Sequence, residues 1–274
     1  MPAEVLTQEK ILHDCPRMSL DDAFRFECGK SLDCFTHCCA DVVIVLTPYD
    51  VLRLKRALGM DSTGFLEKFT ISPFVKEQKI PAVILKMDPE TKRCPFVTGE
   101  GCSVYGNRPW ACRMYPLGVA EPRNPSPADR SFHFLVREDL CHGHERGETY
   151  TVREWLDGQG IEEYEAMGAS FKDLMLSSMW DKDDALPADK MDMYYMSCYD
   201  LDRFRRFVFE TRFLTLFEVD EARVEAMRTD DAELLEFAMQ WLRFSLFGEK
   251  TMKLRRSVQP RTAARPDLVS EAAR

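Results

Sequence analysis

Cys28-Gly29-Lys30-Ser31-Leu32-Asp33-Cys34-Phe35-Thr36-His37-Cys38-Cys39 gathers four thiols into one loop and its edge. Cys94, Cys102 and Cys112 follow, and then Cys141, so eight of the ten cysteines fall into these groups. A tight loop can turn Cys34 and Cys38 inward together, whereas Cys28 has to come from a preceding strand or a wider loop. Cys38 and Cys39 are adjacent. Neighbouring side chains alternate faces in a strand and diverge by about 100° in a helix. Two such sulfurs suit two neighbouring centres, or one centre with a sulfur in reserve. Cys94-Pro95 and Gly101-Cys102 are joined by a short glycine-containing loop that can bring two sulfurs together at a hairpin end. Cys112 and Cys141-His142-Gly143-His144 complete a set of eight, enough for two four-sulfur sites. Spacing does not assign each cysteine to a site. All-thiolate ligation suits zinc and an iron–sulfur cluster, including the 4Fe–4S type.

The 274 residues are enough for a sizeable core, either one domain or one domain with a helical extension. Hydrophobic content of 45% and charged content of 30% are ordinary for a globular protein. Lys and Arg number 37 against 46 Asp and Glu, a net charge of −9. That balance argues against charge-driven binding to nucleic acid or an anionic membrane. The start, MPAEVLTQEK, lacks a basic segment followed by an apolar run, and no stretch is apolar for the length of a membrane span. The cytoplasm is therefore the expected compartment, where cysteine clusters more often hold metals than disulfides.

Periodicity predicts an α+β protein in four parts. Residues 1–19 form an arm. Residues 20–145 form a small, loop-rich, metal-stapled domain with short strands and two helices. Residues 146–250 form a helical region, and 251–274 a disordered tail. Phe24 and Phe26 alternate with polar neighbours as in a short strand. Val42 to Leu46 reads as a buried strand. Thr47-Pro48 caps a helix ending at Gly59, and Asp61 or Ser62 caps another. Ala82 to Met87 reads as a strand, Asp88 to Thr91 as a turn, Cys94 to Pro116 as loop, and Phe132 to Val136 as a last strand. Pro122, Pro125 and Pro127 mark an exposed loop. Thr151-Val-Arg-Glu154 is a capping box opening a helix. Further helices fit Ile161–Met179, 191–218 and 230–247, with a polar break at 181–190.

These residues carry a resemblance. Phe26-x-Cys28, Cys34 with Cys38-Cys39, Leu46-Thr47-Pro48-x-Asp50, Cys94-Pro95-Phe96 and the run from Gly101-Cys102 through Arg108-Pro109-x-x-Cys112-Arg113-x-Tyr115-Pro116 resemble the YkgJ-type cysteine-cluster family. The resemblance covers about residues 24–145. It implies zinc or iron chelation by the matching cysteines, Cys28, Cys34, Cys38, Cys39, Cys94, Cys102 and Cys112, without an agreed reaction; Cys141 joins them from the cysteine pattern alone. The family signature is CxxCxxCC, and the first two gaps here are five and three residues instead of two and two. A similar cluster in flagellin lysine N-methylases is taken to hold an iron–sulfur centre.

The expected function is metal binding with a structural or redox role. Two alternatives stand beside it. One is an iron–sulfur enzyme that modifies a protein side chain in the manner of a methylase. The other is an interaction module whose helical half grips a protein partner. No phosphate-binding glycine loop or metalloprotease HExxH is present. Cys15 and Cys198 read as ordinary thiols. His37 reads either as a ligand or as a hydrogen-bond donor behind the ligands, and His142 and His144 either as metal-binding or as solvated loop residues. Arg108 and Arg113 are placed either to offset thiolate charge or to form salt bridges that fix the loop.

Overall fold

The computed structural model describes residues 15–75, 80–121, 131–177, 180 and 186–255. The expected arm up to residue 14, the proline-rich loop at 122–127, most of the polar break at 181–185 and the tail from 256 lie outside the described residues. The fold is α+β, with short antiparallel strand pairs and a helical C-terminal region. The chain divides into two compact units. Met1–Ile44 joins Leu85–Glu165 in the first, and Val45–Ile84 joins Ala166–Arg274 in the second.

The first unit is built on the predicted strand Ala23–Phe26, which pairs antiparallel with His144–Thr151. Phe24 lies opposite Tyr150 and Arg25 opposite Thr149. The register then jumps, so that Phe26 faces His144. Glu145 and Gly147, both at positive φ, turn the chain through that irregularity. A bulge of this kind redirects the strand, and here it brings the residues after Phe26 alongside 141–143. The Glu27 amide donates to the Gly143 carbonyl at 3.0 Å. Thr151 and Glu154 form the expected reciprocal cap of the Val152–Gly158 helix. Phe24, Phe26, Met114, Leu117, Val152 and Ile161 form the core, with Trp155 edge-on to both phenylalanines. Phe132–Leu135 is a strand as expected, paired with Leu117–Ala120.

In the second unit Thr47 and Asp50 form a capping box on Pro48–Leu58, and Gly59 closes that helix at φ 62°. Asp61 caps Ser62–Phe69. Asp231–Phe247 is the central helix and packs against Ala188–Cys198, Leu201–Glu210, Glu221–Thr229 and Pro48–Leu58. Its Trp241 sits among Phe213, Phe217 and Phe207, with ring centroids 5.1, 5.4 and 5.9 Å away. Lys55 is buried between two carboxylates, with Nζ 2.9 Å from Asp202 and 3.1 Å from Asp231, and Arg205 bonds both acids as well. Burial pushes each acid up, but these cations and the Ser62 amide on Asp202 outweigh it. Both carboxyls are held below the usual range.

Three sequence expectations are corrected. The single helix over 191–218 is three: Ala188–Cys198, Leu201–Glu210 and Phe213–Leu216. Asp200 ends the first run by accepting from Ser62 Oγ at 2.6 Å and capping the second at the Arg203 amide. Thr211 bonds back to the Phe207 carbonyl at 2.6 Å and accepts from the Phe213 amide. Val42–Leu46 is not a buried strand. It makes a single bridge, Val45 to Ile84, and leaves Val43 73% and Val45 54% exposed. One neighbouring segment covers it, so alternate side chains face outward. The strand expected over Ala82–Met87 is reduced to Ile84–Leu85.

Candidate metal centre

All eight cluster cysteines lie in the first unit, and all ten cysteines of the chain are unpaired. Cys28 leaves the strand Ala23–Phe26 after Glu27. From there the chain runs through i→i+3 turns, with Leu32 bonding to Gly29, Phe35 to Leu32, His37 to Cys34 and Cys39 to Thr36. Cys38 and Cys39 end this loop in a short 3-10 turn, His37–Cys39. Thr36 at φ 67° and Asp41 at φ 52° bracket the pair in left-handed backbone. A β-branched residue rarely adopts that conformation, and surrounding structure has to hold it there. Arg93 bonds the Thr36 hydroxyl at 3.1 Å, and the Asp41 amide bonds the Lys92 carbonyl at 2.8 Å.

The adjacent thiols face different neighbours. Burial, then Cys38, Cys141 and Cys34, push the Cys28 thiol up to about 11, against Arg108, which lowers it. Cys39 is held below its ordinary value by its hydrogen bond with Cys38, against burial and the charges of Cys94, Cys112 and Cys102. Cys38 is the raised partner of that bond, with burial, Cys39 and Glu138 adding to the shift. Cys94 is raised by burial and by Cys102, against amides of Phe96 and Val97. Cys28, Cys34, Cys38 and Cys141 thus neighbour one another and Cys39 neighbours Cys94, Cys102 and Cys112, while the bond between the Cys38 and Cys39 thiols joins the two groups.

The two groups rest on different scaffolds. Around the second, the Cys94 amide bonds the Cys39 carbonyl at 2.7 Å, and Ala40 bridges Arg93. Val97 and Thr98 pair with Cys102 and Gly101 in the hairpin that presents Cys94 and Cys102. Cys112 sits on Trp110–Met114, a helix inside the segment expected to be loop. Arg113 anchors that helix by donating to the carbonyls of Arg108, Gln159 and Gly106 at 3.2, 2.5 and 2.5 Å, while stacking on Tyr164. Arg108 stacks on Tyr105 with its carbon 3.8 Å from the ring centroid, and bonds Gln159 and the Tyr105 carbonyl. Among the described residues neither arginine forms a salt bridge. The charge of Arg108 acts on Cys28, and those of Cys112 and Cys102 act on it.

Around the first group a cavity of about 20 Å³ is lined by Cys28, Cys34, Cys38 and Cys141, with Phe26, Leu32, Phe35, Tyr115 and Leu140 among the walls. The His142 amide donates to Cys34 Sγ at 3.3 Å, and His142 Nδ1 lies 2.7 Å from Asp33 Oδ1. Asp33, Cys34 and His142 present ligand atoms within 4.8 Å of one another. The Tyr115 hydroxyl is buried against Cys141 without a well-formed hydrogen bond. Burial, with Cys141 and Glu138, holds it above the usual range. His144 packs edge-on to Phe26, and burial, with the nearby Arg137 charge, lowers its pKa below the ordinary value. His37 is exposed, and Cys198 is fully buried in the second unit.

Tyr115 and Asp33 were not singled out as site residues from the sequence. The one sign of Asp33 was its place directly before Cys34, as His142 stands directly after Cys141. The donors present fit a thiophilic ion or cluster. Eight soft thiols lie in one unit, and the buried Tyr115 phenol lacks an acceptor that a thiolate would supply.

Residues 27–143 match the CxxCxxCC family, described as "Putative zinc- or iron-chelating domain". That is the family to which the cysteine pattern pointed, and it supports zinc or iron chelation by this region. No curated protein and no solved structure matches the chain. Among the described residues no helix is long and apolar enough to cross a membrane.

Proposed function

We propose that the chain holds two metal centres with four thiolates each. Cys28, Cys34, Cys38 and Cys141 would hold one, and Cys39, Cys94, Cys102 and Cys112 the other. The observation that carries this reading is the cavity lined by Cys28, Cys34, Cys38 and Cys141 but not by Cys39, whose carbonyl instead accepts from the Cys94 amide at 2.7 Å. Arg108 is placed to offset thiolate charge of both centres, and Tyr115 to donate a hydrogen bond to Cys141. Such outer contacts orient ligands and tune the metal.

Iron–sulfur clusters suit the spacing better than zinc. Four sulfurs at about 2.3 Å from one zinc stand only about 3.8 Å apart. Among the described residues no three of the eight sulfurs lie within 4.8 Å of one another. Bound clusters would supply structural cross-links and a one-electron couple. A structural or redox role follows, in a protein whose net charge of −9 gives no support to nucleic-acid binding. The cytoplasm, where thiols stay reduced, suits both.

Elemental and sulfide analysis of anaerobically purified protein, with visible and electron-paramagnetic spectra, tests the metal. Iron with matching sulfide is expected, and a colourless protein with two zinc ions overturns the cluster. Paired variants test the grouping. Cys38→Ser with Cys141→Ser should keep half the metal, and Cys38→Ser with Cys102→Ser should lose nearly all. Equal losses from the two pairs would refute the division.

A further inference from the structure

We infer that Asp33, His142 and Cys34 form a capture site for a single divalent transition-metal ion, such as iron(II) or zinc(II), ahead of its transfer to the other thiols. This deepens the reading above and rests on Cys34 being one of the metal-binding thiols.

Among the described residues, these are the only three candidate ligands whose donor atoms lie within 4.8 Å of one another. Donors about 2.0–2.3 Å from one ion stand at most about 4.6 Å apart, so a few tenths of an ångström of closure completes the set. No trio of the described cysteine sulfurs is so close, and an arriving ion has to draw thiols together before they can share it. Exposure grades the three donors from solvent inward. The Asp33 side chain is 78% exposed and that of His142 47%, whereas Cys34 is 8% exposed. His142 Nδ1 lies 2.7 Å from Asp33 Oδ1, and the His142 amide donates to Cys34 Sγ at 3.3 Å across 108 residues of chain. The Glu27 amide on the Gly143 carbonyl ties the same two segments together, so the fold itself assembles the trio. An imidazole and a thiolate favour zinc or iron(II) over magnesium and calcium, which prefer oxygen alone. Asp33 and His142 are also the chain neighbours of Cys34 and Cys141. An ion held by the exposed pair and Cys34 therefore reaches Cys141 by exchanging His142 for the residue beside it, with the Cys141 thiol releasing its proton to solvent. Thiolates select zinc and iron–sulfur metal, whereas a carboxylate suits harder ions, so the exchange runs inward.

The test is metal loading of the full chain in cells, read by elemental analysis after anaerobic purification. Asp33→Ala with His142→Ala should match the wild type when cells grow with ample metal, and carry several-fold less when metal is limiting. Asp33→Asn keeps an acceptor for His142 but gives up the anionic donor, and should show the same deficit in milder form. Asp139→Ala removes an exposed acid two residues before Cys141 and should load like the wild type in both media. Wild-type loading of the double variant in limiting metal overturns the inference. So does a deficit that persists in ample metal, which would make the pair permanent ligands or a brace for the loop. Stopped-flow mixing of the metal-free full chain with cobalt(II) gives a second readout. A fast phase with weak sulfur-to-cobalt absorption should precede the strong multi-thiolate band and be missing from the double variant; a fast phase that survives there overturns the inference. Failure of the underlying reading shows separately, because Cys34→Ser then keeps its full metal in both media.

Discussion

Replacing Gly143 with alanine tests how the chain brings Cys28 to Cys141. A Cβ at residue 143 would lie 2.1 Å from the Glu27 carbonyl oxygen, where contacts under 3.0 Å are essentially never found. The two segments must part by about 0.9 Å, and the Glu27 amide, 3.0 Å from the Gly143 carbonyl, is drawn away with them. Losing that hydrogen bond costs about 0.5–1.5 kcal/mol, and forced repacking about 1–3 kcal/mol. Alanine also stiffens the unfolded chain, which offsets about 0.4–1 kcal/mol. The net is a loss near 2 kcal/mol, within a range of about 0.5–4. Urea unfolding of anaerobically purified Gly143→Ala should show the midpoint fall, and elemental analysis should show metal missing from the first centre alone. Gly99→Ala is the control. Nothing lies within 4 Å of its added methyl, so stability should move by less than about 0.5 kcal/mol. If Gly143→Ala matches that control in both midpoint and metal, the close approach of the strand to the 141–143 loop does not hold the centre together.

Lys55→Met should cost about 3–5 kcal/mol in urea unfolding, because it leaves Asp202 and Asp231 facing each other with Arg205 as their main cation. Both acids sit below their unfolded value of 3.8, so their contribution is complete above that pH and fades as pH falls through their folded values. Thermal melts of the wild type should drop steeply below about pH 4, and Asp202→Asn with Asp231→Asn should flatten that drop. Thr36→Gly relieves a left-handed threonine beside the cysteine pair but loses the hydroxyl bonded by Arg93 and loosens the unfolded chain, so stability should move by less than about 1 kcal/mol, with metal content unchanged. Thr47→Ala removes a reciprocal cap and should lower it by about 1 kcal/mol in the same assay.

Local chemistry was readable along the chain. Thr47-Pro48, Gly59, Asp61 and Thr151 announced their helix ends because a cap is decided within four residues. The alternation at Phe24 and Phe26 announced a strand for the same reason. Long-range choices were not readable. The jump that sets His144 opposite Phe26 depends on which segments meet, and so does the exposure of Val43 and Val45. The run of aromatics over 191–218 hid two breaks because Phe204, Phe207 and Phe213 keep helical spacing across them. Asp200 ends its helix through Ser62, which is distant in sequence. At the site, adjacency of Cys38 and Cys39 suited two neighbouring centres or one centre with a sulfur in reserve. Assigning Cys141 to one group and Cys94, Cys102 and Cys112 to the other needed the fold. So did the part of Tyr115, a residue of the conspicuous Cys112-Arg113-x-Tyr115-Pro116 run whose hydroxyl gains meaning only beside Cys141.

The first unit is interrupted by residues 45–84, which belong to the second. During translation Cys28 to Cys39 therefore leave the ribosome well before their partners. Cys141 follows Cys39 by about a hundred residues, roughly 5–20 s of synthesis at ordinary elongation rates. Through that interval half of the thiols stand without the other half, open to oxidation or to capture by a stray ion. Loading has to wait until more than half of the chain has been made, and an oxidising pulse during that interval would harm this protein more than the same pulse afterwards.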